Sequence, residues 1–160
     1  MLTYVPHLLT SRLVLRHLSL EDKEQLLPIS FYNGKPLHTL DEIVEKLRKI
    51  DADIDAGNTI HWGIALKPEG TIIGTIGFYR GFRDNTGEIG YVLNEKFRGH
   101  GFMQEAIKAV LQVGFNQLLL DQVIAYTGLD NTASSKVLQT AGFTETASDQ
   151  DQYRKWIIYK

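Results

Sequence analysis

The sequence predicts a single α/β (α+β) domain, and three observations carry that prediction. At 160 residues the chain is long enough to bury one proper core and short for two. Strand-like and helix-like periodicities follow one another as β-α-α-β-β-β-α-β-α-β-β over residues 1–160, with no linker, repeat or low-complexity stretch. A glycine pair, Gly99 and Gly101, joins a strand-like run to a long amphipathic helix, a junction that lets the backbone turn tightly.

The elements can be justified in order. Leu13, Leu15 and His17 alternate with Arg12, Val14 and Arg16, a first strand. Ser19-Leu20-Glu21-Asp22 has the form of a capping box and opens a helix. Pro28, Gly34 and Pro36 mark residues 28–38 as a loop or broken helix. A second capping box, Thr39-Leu40-Asp41-Glu42, precedes Ile43, Leu47, Ile50 and Ile54 at helical spacing, and Gly57 ends that helix. Ile60, Trp62, Ile64 and Leu66 then share one face of a strand, opposite Thr59, His61, Gly63 and Ala65. His61 reads as a surface histidine, with a pocket-lining position as the alternative. Pro68-Glu69-Gly70 turns the chain into a strand from Thr71 to Tyr79. Arg80 to Thr86 is a polar loop, and Gly87 to Leu93 is strand. Met103, Ile107, Val110 and Gly114 stripe the next helix, and Gln122 to Thr127 returns as strand. Asn131 caps a helix ended by Gly142, and two strands follow near Phe143–Thr146 and Tyr153–Tyr159.

Composition removes whole classes of function. The net charge is −2 with no long run of like charges, so no nucleic-acid or membrane surface is expected. No apolar run reaches the length of a membrane span. Met1 to Leu9 lacks a basic start and contains Pro6, a poor signal peptide, so a cytoplasmic enzyme or binding domain is the expectation. The absence of cysteine excludes disulfides and any thiol nucleophile. His7, His17, His38, His61 and His100 show no metal-ligand spacing, and no metal is expected.

The stretch from Lys96 to Ala106 is the most informative in the chain. The first N–H groups of a helix have no internal partner and lie at the positive end of its dipole, a ready place for phosphate. Lys96, Arg98 and His100 add cationic side chains to the same turn. Gln104 stands where a dinucleotide fingerprint needs its third glycine, and no Walker loop is present. The competing reading is a glycine pair that merely closes a strand-to-helix turn.

Lys96-Phe97-Arg98-Gly99-His100-Gly101 resembles the pyrophosphate loop of the GNAT family of N-acetyltransferases, with Lys at the usual Gln/Arg position. Asn131-Thr132-Ala133-Ser134 followed by Gly142-Phe143 is similar to the family's second signature, Asn-x-x-Ser…Gly-Phe. Leu9 to Arg16 resembles the first strand of the RimJ/RimL-like branch. The resemblance implies a mixed, mostly antiparallel sheet of about seven strands, helices on both faces, and one splayed parallel pair, Glu88–Leu93 beside Gln122–Thr127. It also implies acetyl-CoA as cosubstrate, a primary-amine acceptor and compatibility with a homodimer. Backbone groups of Tyr91, Val92 and Leu93 would pair with the pantetheine arm, and the Val92 N–H would face the thioester oxygen. Backbone N–H groups from Arg98 through Gly99, His100, Gly101 and Phe102 to Met103 would hold the phosphates, with the Arg98 side chain as the matching cation or, equally, a solvated turn residue. Asn131 and Ser134 would point toward the pantetheine and sulfur. Ser134 is then the candidate acid for the departing thiolate, and Tyr126 the weaker substitute. Capping alone is the competing role for Asn131. Glu88 is the candidate general base, against a merely solvated glutamate. The acceptor is open between a protein N-terminal α-amine and a small amine, and a coenzyme A-binding sensor without catalysis is the alternative from another class.

Overall fold

The computed structural model describes residues 2–160. In chain order they form β1 (Leu8–Leu9), β2 (Leu13–Arg16), α1 (Lys23–Leu26), β3 (Phe31–Tyr32), β4 (Lys35–Pro36), α2 (Leu40–Asp55) and β5 (Ile60–Leu66). There follow β6 (Thr71–Tyr79), β7 (Thr86–Leu93), α3 (Phe102–Asn116), β8 (Gln122–Gly128), α4 (Thr132–Thr140), β9 (Thr144–Thr146) and β10 (Tyr153–Tyr159). The main sheet has eight strands in the order β1-β2-β5-β6-β7-β8-β10-β9. Every neighbouring pair is antiparallel except β7 and β8.

This is the expected mixed sheet with small corrections. Leu8 and Leu9 pair with Leu15 and Val14, adding an edge strand too short to show a period. Residues 28–38 are not simply loop, because Phe31–Tyr32 and Lys35–Pro36 pair as a hairpin. Asn33 and Gly34 have φ of 50° and 75°, the left-handed pair that a two-residue hairpin turn requires. The Ser19 capping box forms with both limbs, yet it opens only a 3₁₀ turn and one turn of α-helix before Pro28. Thr39 caps α2 by accepting from the Glu42 N–H.

Helices cover both faces of the sheet. Ile43 and Leu47 of α2 pack with Leu18, Leu26, Ile29, Ala65 and Ile72 on one face. On the other, Ile107 and Val110 of α3 and Leu138 of α4 join Trp62, Phe78, Val123 and Trp156. The buried indoles are satisfied as buried N–H groups must be: Trp62 donates to the Pro6 carbonyl at 2.7 Å and Trp156 to the Thr127 hydroxyl at 2.9 Å. The Phe78 ring fits only because two glycines flank it. A Cβ on Gly87 would lie 2.8 Å from Phe78 Cδ1, and one on Gly114 would lie 2.9 Å from Phe78 Cζ. Gly87→Ala should therefore overpack the core and lower stability by about 1–3 kcal/mol, read as a reduced urea midpoint with unchanged slope.

His61 is buried, not on the surface, because α2 lies over its side of β5. Its Nδ1 has no hydrogen-bond partner among the described residues. Burial, with the positive charges of Lys46 and His17 adding to it, pushes the imidazole down to about 3. The unfolded ring titrates near 6.5, so below that pH the unfolded chain takes up a proton that the folded chain refuses. Stability should be full above pH 6.5 and fall as pH drops toward 3. Urea midpoints at pH 7 and 5 should show a loss that His61→Met reduces, and a wild-type midpoint unchanged over that range would contradict a neutral buried His61.

Candidate active site

Strands β7 and β8 are joined by only three residue pairs, Thr86 with Gln122, Gly87 with Val123 and Glu88 with Ile124. Beyond Glu88 both strands continue, but apart. The backbone of Ile89 to Leu93 is paired with β6 on one side and has no strand on the other. Such an edge presents polar groups that need a partner.

The turn between β7 and α3 stands at one end of this wedge. Asn94 accepts from the Lys96 N–H and starts a 3₁₀ turn over Glu95–Phe97. Gly99 and Gly101 then take φ of 80° and 78°, a conformation that costs other residues about 1–2 kcal/mol. Gly101 is the N-cap of α3 and supplies no side-chain acceptor, so the first-turn N–H groups are left for a ligand. Arg98 is exposed, and its Nε donates to the Leu93 carbonyl at 3.2 Å, which folds the guanidinium back on the end of β7. The His100 ring stacks against Phe102. Met103 is buried in the core, so its backbone alone is available to a phosphate.

On the α2 side of the sheet lies an open groove of about 1020 Å³. Glu88 lines it together with Phe31, Tyr32, Tyr79, Arg80 and Tyr126. Arg80, held at φ 64°, donates to Glu88 Oε1 at 2.8 Å. Burial pushes the Tyr79 phenol up, and its ring lies across Gly77 and Gly90, where a Cβ would meet it at 3.1 and 3.0 Å. Tyr126 donates to Asp149 at 2.7 Å; burial first and then this bond raise its phenol.

Helix α4 approaches the wedge from the other face. Asn131 caps it by accepting from the Ser134 N–H at 3.1 Å. Tyr91 reaches across from β7 and donates its hydroxyl to the Ser134 carbonyl at 3.3 Å. Burial pushes the Tyr91 phenol up to about 12, against a smaller lowering effect of the Ser134 side chain. Tyr91 is thus a tie between β7 and α4, a role its place in the sequence did not reveal.

A profile of the "Acetyltransferase (GNAT) domain" matches residues 12–144. The chain belongs to the GNAT acetyltransferases. Among its GNAT relatives is the Bacillus subtilis N-acetyltransferase YoaA, 29% identical over 146 residues that cover 86% of this chain and 82% of that one. The fold is shared with the microcin C7 self-immunity acetyltransferase MccE, solved with acetyl-CoA and AMP, at TM-score 0.79 and 17% identity, covering 94% of each chain. It is shared also with the ribosomal-protein-S5-alanine acetyltransferase of Vibrio fischeri, at TM-score 0.76 and 19% identity over 96% of each chain.

In GNAT terms the structure brings the sequence-predicted residues to two sides of one wedge. Tyr91, Val92, Leu93, the 98–103 turn, Asn131 and Ser134 border the splay, and Glu88 stands at the point where pairing stops. Sequence reasoning missed Arg80 as the partner of Glu88 and Tyr79 as a wall of the groove. Alternation along β6 already placed Tyr79 beside Gly77 on one face, but nothing local gave the groove in front of it. No helix is long and apolar enough to cross a membrane, and no group of His, Asp or Glu is arranged to hold a metal among the described residues. Gly101→Ala should strain the φ 78° position and weaken coenzyme A binding about tenfold by calorimetry. Unchanged affinity would remove this turn from the phosphate site.

Proposed function

We propose that this GNAT enzyme moves the acetyl group of acetyl-CoA directly to a primary amine, and that the acceptor is the α-amine of a protein N-terminus. The groove beside Glu88 carries the reading. At about 1020 Å³ and open to solvent, it suits a chain terminus with residues trailing outward better than an enclosed metabolite. Its charges are balanced, Asp53 and Glu88 against Arg80 and Arg83, which fits one ammonium and disfavours a polyamine.

The chemistry follows from the placement of groups. Acetyl-CoA would lie along the free side of β7, its pantetheine on backbone groups of Tyr91, Val92 and Leu93. Its phosphates would rest on N–H groups from Arg98 to Met103, with the Arg98 fork beside them. Glu88 takes the ammonium proton, through water, using the oxygen that Arg80 does not engage. The neutral amine attacks the thioester carbon, and the Val92 N–H steadies the oxyanion. The C–S bond then breaks and the acetyl group stays on nitrogen, while the nitrogen, cationic after attack, passes its second proton to the Ser134 hydroxyl as Ser134 gives its own proton to the departing thiolate. An α-amine, with pKa about 8 against about 10.4 for lysine, is already partly neutral near pH 7 and needs less help from a base. Without cysteine the chain cannot form an acetyl-cysteine intermediate.

Thiol release from acetyl-CoA, measured over peptides with free N-termini, blocked lysine peptides, polyamines and aminoglycosides, tests the reading. Release is expected with the free N-terminal peptides. Glu88→Gln should lower kcat by about 10²-fold and Ser134→Ala by about tenfold. Unchanged turnover in both variants would sink the acid and base roles. Coenzyme A binding without release on any amine would leave a binding protein instead.

A further inference from the structure

Arg12 and Glu105 stand 93 residues apart, and the mechanism above uses neither. They meet behind the phosphate turn. The Arg12 backbone N–H donates to Glu105 Oε1 at 2.7 Å, and its Nε donates to Oε2 at 2.8 Å. Thr10 adds its hydroxyl to Oε1 at 2.6 Å. A second nitrogen of the guanidinium, Nη1, donates to the His100 carbonyl at 2.9 Å. The same guanidinium lies over the Phe102 ring, 4.4 Å from its centre.

We infer that Arg12, locked by Glu105, is a positioning residue that sets the phosphate turn in its ligand-ready conformation. The reason is the geometry of one peptide bond. The 100–101 peptide is trans, so its carbonyl and its N–H point in opposite directions. By holding the His100 carbonyl, Arg12 turns the Gly101 N–H at the N-cap of α3 away from itself, which leaves it free to donate to a phosphate. A flipped peptide would present an oxygen to the phosphates and remove one donor. Glu105 gives this arrangement its rigidity. Although burial opposes its charge, bonds from Thr10 and Arg12 outweigh that and keep its carboxyl below the usual range. Neither oxygen of a lone carboxylate would fix an arginine so well without the second donor and the backbone N–H. Lysine cannot replace the fork, because Nε and Nη1 act on two partners at once.

The inference rests on the acetyl-CoA reading, and the test separates the two. Coenzyme A binding by calorimetry and steady-state rates would be measured for the parent chain, Arg12→Gln, Arg12→Lys and Glu105→Gln. S-acetylpantetheine, which has no pyrophosphate, serves as a second donor. For acetyl-CoA each variant should raise Kd and KM about tenfold while kcat stays within about threefold. With S-acetylpantetheine the variants should match the parent. A thermal midpoint far below the parent in all three variants, with equal losses on both donors, would mean a merely structural brace and overturn the proposal. So would variants that bind coenzyme A as tightly as the parent. Failure of the parent itself to bind coenzyme A would overturn the cofactor reading, and this proposal with it.

Discussion

Three residue pairs of parallel ladder hold β7 to β8, while six pairs hold β7 to β6 and seven hold β8 to β10. The two inner strands are therefore governed by their outer neighbours, and they part because each follows its own antiparallel partner. On the far face the gap is bridged by side chains and not by backbone. Tyr91 ties β7 to α4, and Trp156 and Ser135 gather around the Thr127 hydroxyl on the β8 side. The opening is thus a fixed feature of the packed sheet. A ligand with amide groups can complete the free side of β7 without displacing any strand pairing.

Around this opening the polar groups are arranged with different degrees of freedom. The turn between β7 and α3 is held by a hydrogen bond from distant Arg12, and its conformation depends on two glycines in the left-handed region. The groove side is held more loosely. Glu88 is fixed by one contact with Arg80, whose side chain is largely exposed, so water screens the pair and lowers its worth. The turn is therefore the more rigid side of the opening and the groove the more adaptable one.

The parts legible in the sequence were those whose cause is local. Period-2 and period-3.6 patterns placed β5, β6, α2 and α3; the capping box at Ser19 formed with both limbs, and at Thr39 the cap to the Glu42 N–H formed without the return limb. The turn after β7 was legible as a turn because its left-handed conformation belongs to the Gly99 and Gly101 positions themselves. What stayed hidden depended on distant chain. His61 looked like the outward half of an alternating strand, but α2 covers that face and both halves are buried. The Asn33-Gly34 dipeptide is itself a strong hairpin signal, obscured by the prolines on either side of it. Nothing local joins Arg12 to Glu105, 93 residues away, and only the fold brings them together.

The Phe78 ring touches Gly87 on β7 and Gly114 on α3, so one aromatic plane registers the strand of the wedge against the helix that bears the phosphate turn. Positions 78, 87 and 114 consequently share a single volume. Along a lineage they are not free to drift one at a time: a side chain gained at 87 or 114 is tolerated only where Phe78, and Leu120 beside it, has already given way. Substitution there is historical, permitted in one order and barred in another, so that two descendants of this chain could reach equally good cores whose parts are no longer interchangeable.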